Sequence, residues 1–133
     1  KQAERYSKIR RDHSSETAED YVELIAQLMD GLGEARTVDI AARLGVSHVT
    51  VTKTIARLQK EGLVSSRPYR SIFLTDDGKR VAREAADRHR LVLAFLVKLG
   101  VNPSDADVDA EGIEHHVSAG TIDAMRRFVE EAP

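Results

Sequence analysis

The chain has 133 residues, of which 41% are hydrophobic and 32% charged, with a net charge of −2. This make-up fits one folded domain, or two small ones sharing a core, and excludes disordered, collagenous and fibrous classes. The absence of cysteine excludes disulfides, thiolate metal sites and cysteine nucleophiles, and no apolar run approaches the roughly 18 residues that span a bilayer.

No secretory leader is visible from Lys1 onward, which leaves an upstream segment open, and a reducing cytoplasm fits the absence of cysteine, as any compartment would. The charge is unevenly spread. Residues 1–35 carry a net −3, residues 36–83 a net +6 and residues 84–133 a net −5. A basic middle between acidic ends points to a polyanion-binding module joined to a cation-binding one. Chance clustering of solvated faces is the plainer alternative.

Residues 1–16 are polar and charged, with Tyr6 and Ile9 as their only larger apolar side chains. They read as a charged extension, either a frayed helix or a disordered tail. From Thr17 a helix is predicted. Tyr21, Leu24, Ile25, Leu28, Met29 and Leu32 recur at helical spacing, and Gly31 and Gly33 end it.

A short helix follows, capped by Thr37 and carrying Ile40, Ala41 and Leu44 inward. Gly45 stops it and Val46 is expected to plug the turn. Ser47 then caps a second helix whose inward residues are Val51, Ile55 and Leu58, and Gly62 stops that. Helix, tight glycine turn and helix form a helix-turn-helix. Leu63–Arg67 and Ser71–Thr75 read as two strands around Pro68-Tyr69-Arg70, a basic wing. Thr75 caps a long helix to about Leu99, striped by Val81, Ala85, Val92, Phe95, Leu96 and Leu99. Asn102-Pro103 reads as a turn, Asp109–Val117 as a further helix, and Ser118 as the cap of a last one with Ile122, Met125, Phe128 and Val129 inward.

The fold class is therefore mainly α. An N-terminal winged helix-turn-helix with a small two-stranded wing precedes an all-helical domain. Expected borders are residues 1–16 for the extension, 17–80 for the DNA-binding domain and 81–133 for the helical domain. Phe95, Leu99, Ile122, Met125 and Phe128 are apolar faces left over for contacts with a second chain or, in part, for the chain's own core.

In a helix-turn-helix the second helix enters the major groove with its N-terminal half leading. That places Ser47, His48, Val49, Thr50, Thr52 and Lys53 at the DNA, with Val49 and Thr50 suited to thymine methyls and His48 and Lys53 to base edges or phosphates. Arg57, Arg67, Tyr69 and Arg70 are candidates for backbone phosphates, and Thr37 is a further DNA-binding candidate. The alternative for each of these residues is a solvated side chain touching nothing.

On a helix, Glu111, Glu114 and His115 share one face. His89 lies on the apolar side of the long helix, since Ala85, His89, Val92 and Leu96 follow one another at helical spacing. Asp20 and Glu23, three apart on the first long helix, could complete the group. Four carboxylates and two imidazoles repel one another enough to call for one cation or two. The set is hard and oxygen-rich, which favours manganese over copper or thiolate-bound zinc, with iron(II) also plausible. Read only as residues, the acids could instead be solvated helix caps and His89 a satisfied core histidine. His116 falls about 140° around a helix from Glu111 and is expected off the ligand face.

Three pieces carry a resemblance over nearly the whole chain from Thr17: Asp20-Tyr-Val-Glu23, the helix-turn-helix with its wing, and Arg88-His89 followed by Glu111-Gly-Ile-Glu-His-His116. Together they resemble the manganese transport regulators of the diphtheria toxin repressor superfamily. The resemblance implies a homodimeric winged-helix repressor of metal-uptake genes that binds palindromic operator DNA with manganese as corepressor. It implies a binuclear site in each subunit, between the DNA-binding and dimerisation parts, with Asp20, Glu23, His89, Glu111, Glu114 and His115 as ligands. Iron-responsive relatives place cysteine and methionine where this chain has Glu111 and Asp20, which favours the manganese branch. The chain is expected to lack the SH3-like domain of many iron-dependent members. Other readings are an iron(II)-responsive regulator, a metal-independent winged-helix regulator answering an organic effector, and a di-metal hydrolase. The last leaves the winged helix unexplained and lacks a separate nucleophile.

Overall fold

The computed structural model describes residues 1–66 and 71–131. In chain order the elements are α1 (Gln2–Leu32), α2 (Thr37–Leu44), α3 (His48–Lys60), β1 (Val64–Ser65), β2 (Phe73–Leu74), α4 (Asp76–Leu99), α5 (Pro103–Ile113) and α6 (Ala119–Glu130). They form two compact units. A central unit is contiguous, Thr17–Arg83, and a flanking unit combines Lys1–Glu16 with Glu84–Pro133. The division falls within α1 and within α4.

The central unit is a winged helix. Ile40 from α2 and Val51, Ile55 and Leu58 from α3 are buried against Tyr21, Leu24, Ile25 and Leu28 of α1 and Val64 and Ile72 of the wing. Gly45 ends α2 with φ +68°, a left-handed conformation that a Cβ would penalise, and its N–H donates to Ala41 O at 2.9 Å. Ser47 Oγ then accepts from Thr50 N–H at 3.1 Å to open α3. The wing strands pair antiparallel, Val64 with Leu74 and Ser65 with Phe73, and an isolated bridge joins Ile72 to Ala35. Thr75 locks the wing to α4: its hydroxyl donates to Gly62 O and accepts from Gly78 N–H, while its N–H donates to Leu63 O.

In the flanking unit α4, α5 and α6 close a small aliphatic core around Val92, Ala110 and Met125, with Leu96, Ile113 and Ile122 packed on it. Phe95 and Phe128 meet edge to face at 5.4 Å. Met125, Phe95 and Ile122 are thus intrachain core, whereas Leu99 is 56% exposed. Lys98 donates to the carbonyls of Phe128 and Glu131 at the end of α6, satisfying groups that a helix end leaves without partners. Among the described residues no helix is long and apolar enough to cross a membrane.

Several local expectations are corrected. The segment 1–16 is no frayed tail: α1 runs from Gln2, one helix with the residues after Thr17. Its early turns are held in the flanking unit, where His116 Nε2 lies 3.1 Å from Glu16 and Nδ1 lies 3.7 Å from Asp12. Thr37 is the first residue of α2 rather than its cap; Arg36 holds the cap position without a side-chain hydrogen bond. Val46, expected to plug the turn, is 36% exposed, and its N–H donates to Ala41 O at 3.1 Å. Asn102-Pro103 is not a free turn but the start of α5, with Asn102 Oδ1 accepting from Ser104 N–H at 2.8 Å and Pro103 in the first turn. That helix stops at Ile113, so His115 and His116 lie in the turn beyond it.

Candidate metal centre and nucleic-acid interface

The outer face of α3 is open. Ser47, His48, Val49, Thr50, Thr52 and Lys53 are all exposed, and Val49 is 62% exposed although apolar. Short polar and β-branched side chains on an accessible helix start are suited to lie against base edges. Arg57, further along, is half-buried and paired with Glu61 at 3.7 Å. Thr37 is half-buried in the first turn of α2. Arg67, Tyr69 and Arg70, the wing-tip candidates, lie outside the described residues.

In the flanking unit, α4 and α5 bring ligand-type atoms together. His89 Nδ1 stands 2.9 Å from Glu114 Oε2 and 3.5 Å from Glu111 Oε1, and ligand atoms of all three residues lie within 4.8 Å of one another. Glu114 is 1% exposed, and its other oxygen is 3.3 Å from Nε2 of His115, itself 7% exposed. One buried carboxylate therefore joins two imidazoles. Helical spacing explains Glu111 and Glu114. His115 reaches the same carboxylate from the turn, because Glu114 keeps helical backbone angles as the cap of α5. His116 points to Asp12 and Glu16 instead, as expected of a residue off the ligand face.

Burial alone would lower the pKa of His89. The hydrogen bond to Asp107 and the charges of Glu114 and Glu111 outweigh it, and the net effect is a rise above 6.5. Asp107 Oδ1 lies 3.0 Å from His89 Nε2, a contact the sequence reading missed. The signal was present: Asp107, Glu111 and Glu114 stand at i, i+4 and i+7, one stripe of α5. Asp20 and Glu23 stand three apart on α1 in the central unit, both half-buried.

The donor chemistry fits a hard divalent cation. Carboxylate oxygens and imidazole nitrogens suit manganese or iron(II). A cation would also offset the cost of gathering Glu111 and a fully buried Glu114 in one place. Nothing in the cluster resembles a poised nucleophile with an oxyanion device.

A winged helix joined to a helical unit with a buried carboxylate–imidazole cluster is the architecture of a metal-dependent transcription regulator. Residues 13–72 match the iron dependent repressor N-terminal DNA binding domain, and residues 75–132 match the iron dependent repressor metal binding and dimerisation domain. The chain belongs to the iron-dependent repressor family. It is 50% identical over 127 residues to the transcriptional regulator MntR of Escherichia coli O6:H1, covering 96% of this chain and 82% of that one. It is 39% identical over 112 residues to the HTH-type transcriptional regulator MntR of Listeria monocytogenes, covering 84% and 79%. A solved manganese-dependent transcriptional repressor in complex with manganese superposes with a TM-score of 0.74 at 32% identity, covering 84% of this chain and 52% of that one. The chain thus spans about half the length of that solved structure.

Proposed function

We infer that this chain is a manganese-responsive transcriptional repressor of metal-uptake genes, acting in the cytoplasm as a homodimer on palindromic operator DNA. The observation that carries the reading is the all-oxygen-and-nitrogen cluster of His89, Glu111, Glu114 and His115, buried around Glu114, in a chain 50% identical to a transcriptional regulator MntR and 32% identical to a manganese-dependent repressor. The proposed ligand set adds Asp20 and Glu23 of the DNA-binding unit and holds two manganese ions per subunit. Six side chains exceed what one small site needs. When bound, manganese supplies the positive charge that lets these carboxylates share a site.

Asp20 and Glu23 belong to the helix that packs on α2 and α3, so holding them restricts the recognition helices. Two recognition helices at a fixed spacing fit successive major grooves of a palindrome. The coupling is expected to be about 1–3 kcal/mol, and by linkage operator DNA tightens manganese binding by the same factor.

The test is selection from a random duplex pool at fixed physiological salt, with metal-free and manganese-loaded protein. Manganese-dependent enrichment of a palindrome supports dimer symmetry, DNA binding and metal gating together. Enrichment of the same sites without metal removes manganese as the switch. Enrichment with iron(II) but not manganese transfers the response to iron.

A further inference from the structure

Resting on that reading, we propose that Asp107 is a positioning residue for the metal centre: it fixes which nitrogen of His89 faces the ion. The two ring nitrogens meet different surroundings. Nδ1 faces both glutamates, at 2.9 Å from Glu114 and 3.5 Å from Glu111. Nε2 faces Asp107 alone of the three, at 3.0 Å. An imidazole binds a cation through an unprotonated nitrogen and keeps its proton on the other. With Glu111 and Glu114 as fellow ligands, Nδ1 is the coordinating atom, and Nε2–H donates to the Asp107 carboxylate.

Asp107 is not itself a ligand. It lies across the ring from the cluster formed by His89, Glu111 and Glu114, which does not include it. Its place on α5, one turn before Glu111, makes the assignment specific. The same helix that presents two ligands to His89 also presents the acceptor that orients the ring. A carboxylate behind a ligating histidine fixes the tautomer and ring angle and raises the basicity of the ligating nitrogen; its loss ordinarily lowers metal affinity about 10–100-fold. Asp107 is 64% exposed, so its substitution leaves the core intact.

Asp107→Ala and Asp107→Asn are compared with the parent chain by manganese titration followed through the signal of free manganese, together with the thermal melt of metal-free protein. Asp107→Ala is expected to weaken manganese binding by about 10–100-fold, while the metal-free protein still melts cooperatively and loses only what the Asp107–His89 hydrogen bond contributes. Asp107→Asn, which keeps an accepting oxygen, restores part of the loss. Cadmium-loaded protein with labelled histidine nitrogens gives a second readout. Spin coupling is expected between the metal and Nδ1 of His89, with a slowly exchanging proton on Nε2 that Asp107→Ala makes fast. Coupling through Nε2, or an Asp107→Ala affinity within twofold of the parent, overturns the proposal while leaving the manganese reading intact. Failure of the parent chain to hold manganese overturns that reading, and with it the role given to Asp107.

Discussion

Gly78 sits in the first turn of α4 under the base of the wing. A Cβ built there would meet the backbone carbonyl oxygen of Leu63 at 2.0 Å, its carbon at 3.1 Å, and Leu74 Cδ2 at 3.3 Å. The first of these is more than an ångström inside an ordinary contact of roughly 3.5 Å. The obstacle is backbone, so no side chain can swing away. Leu63 O also accepts the Thr75 N–H at 3.1 Å, and moving it strains or breaks the hydrogen bond that seats the wing on α4. Overpacking of this kind costs about 1–3 kcal/mol, and a lost hydrogen bond costs about 1 kcal/mol. Alanine returns about 0.5–1 kcal/mol through its better helix propensity. Gly78→Ala is therefore expected to destabilise the protein by about 2 kcal/mol and to weaken operator binding through a displaced wing. The control is Gly31→Ala, on the same unit, where an added Cβ meets nothing within 4 Å. It is expected to be neutral or stabilising by up to about 1 kcal/mol. Urea unfolding of metal-free protein measures both. If Gly78→Ala unfolds within about 0.5 kcal/mol of the parent, the tight seating of wing on helix is wrong.

Three further outcomes are expected. Lys53→Ala should lower affinity for operator and unrelated duplex alike and reduce the slope of log K against log salt by about one, if Lys53 neutralises a phosphate; an unchanged slope with relaxed sequence preference would place it at a base instead. Ser47→Ala removes the oxygen that accepts Thr50 N–H and should cost about 1 kcal/mol in urea unfolding, with no loss arguing that water replaces the cap. His89, raised above 6.5, should stabilise the metal-free protein fully below that value and lose this contribution as pH rises through the raised one. Manganese affinity should follow the opposite course, rising over that same window as the ring gives up its proton. A stability difference between parent and His89→Gln that stays flat with pH would refute the assignment.

The parts legible in the sequence were those written in local code. Gly45 and Ser47 fix a turn and a cap whose chemistry needs only their neighbours, so the helix-turn-helix stands where it was expected. Val51, Ile55 and Leu58 face inward because their spacing leaves one stripe to bury. Glu111 and Glu114 share a face for the same reason. What escaped depended on distant partners. Tyr6 and Ile9 give residues 1–16 too little apolar surface to predict order. Yet His116, a hundred residues away, meets Glu16 beside the early turns of α1. Pro103 is the exception: the Asn102 cap beside it is as local as that of Ser47 and marks a helix start rather than a break. Asp107 passes as one acid among several in an acidic stretch until His89 is brought across from α4.

The order in which the chain leaves the ribosome gives the split arrangement of the units a consequence for biogenesis. The DNA-binding unit is one unbroken stretch, Thr17–Arg83, so all its parts are present once that stretch has emerged. The flanking unit draws on both ends of the chain, and its core needs Met125. Domains fold as units, N-terminal ones first during synthesis. Here residues 1–16 must wait for α5 and α6 before their own unit can close. A nascent chain stalled after α4 would thus present a reading head already shaped for DNA, but without the Glu111, Glu114 and His115 proposed to make that head answer to metal.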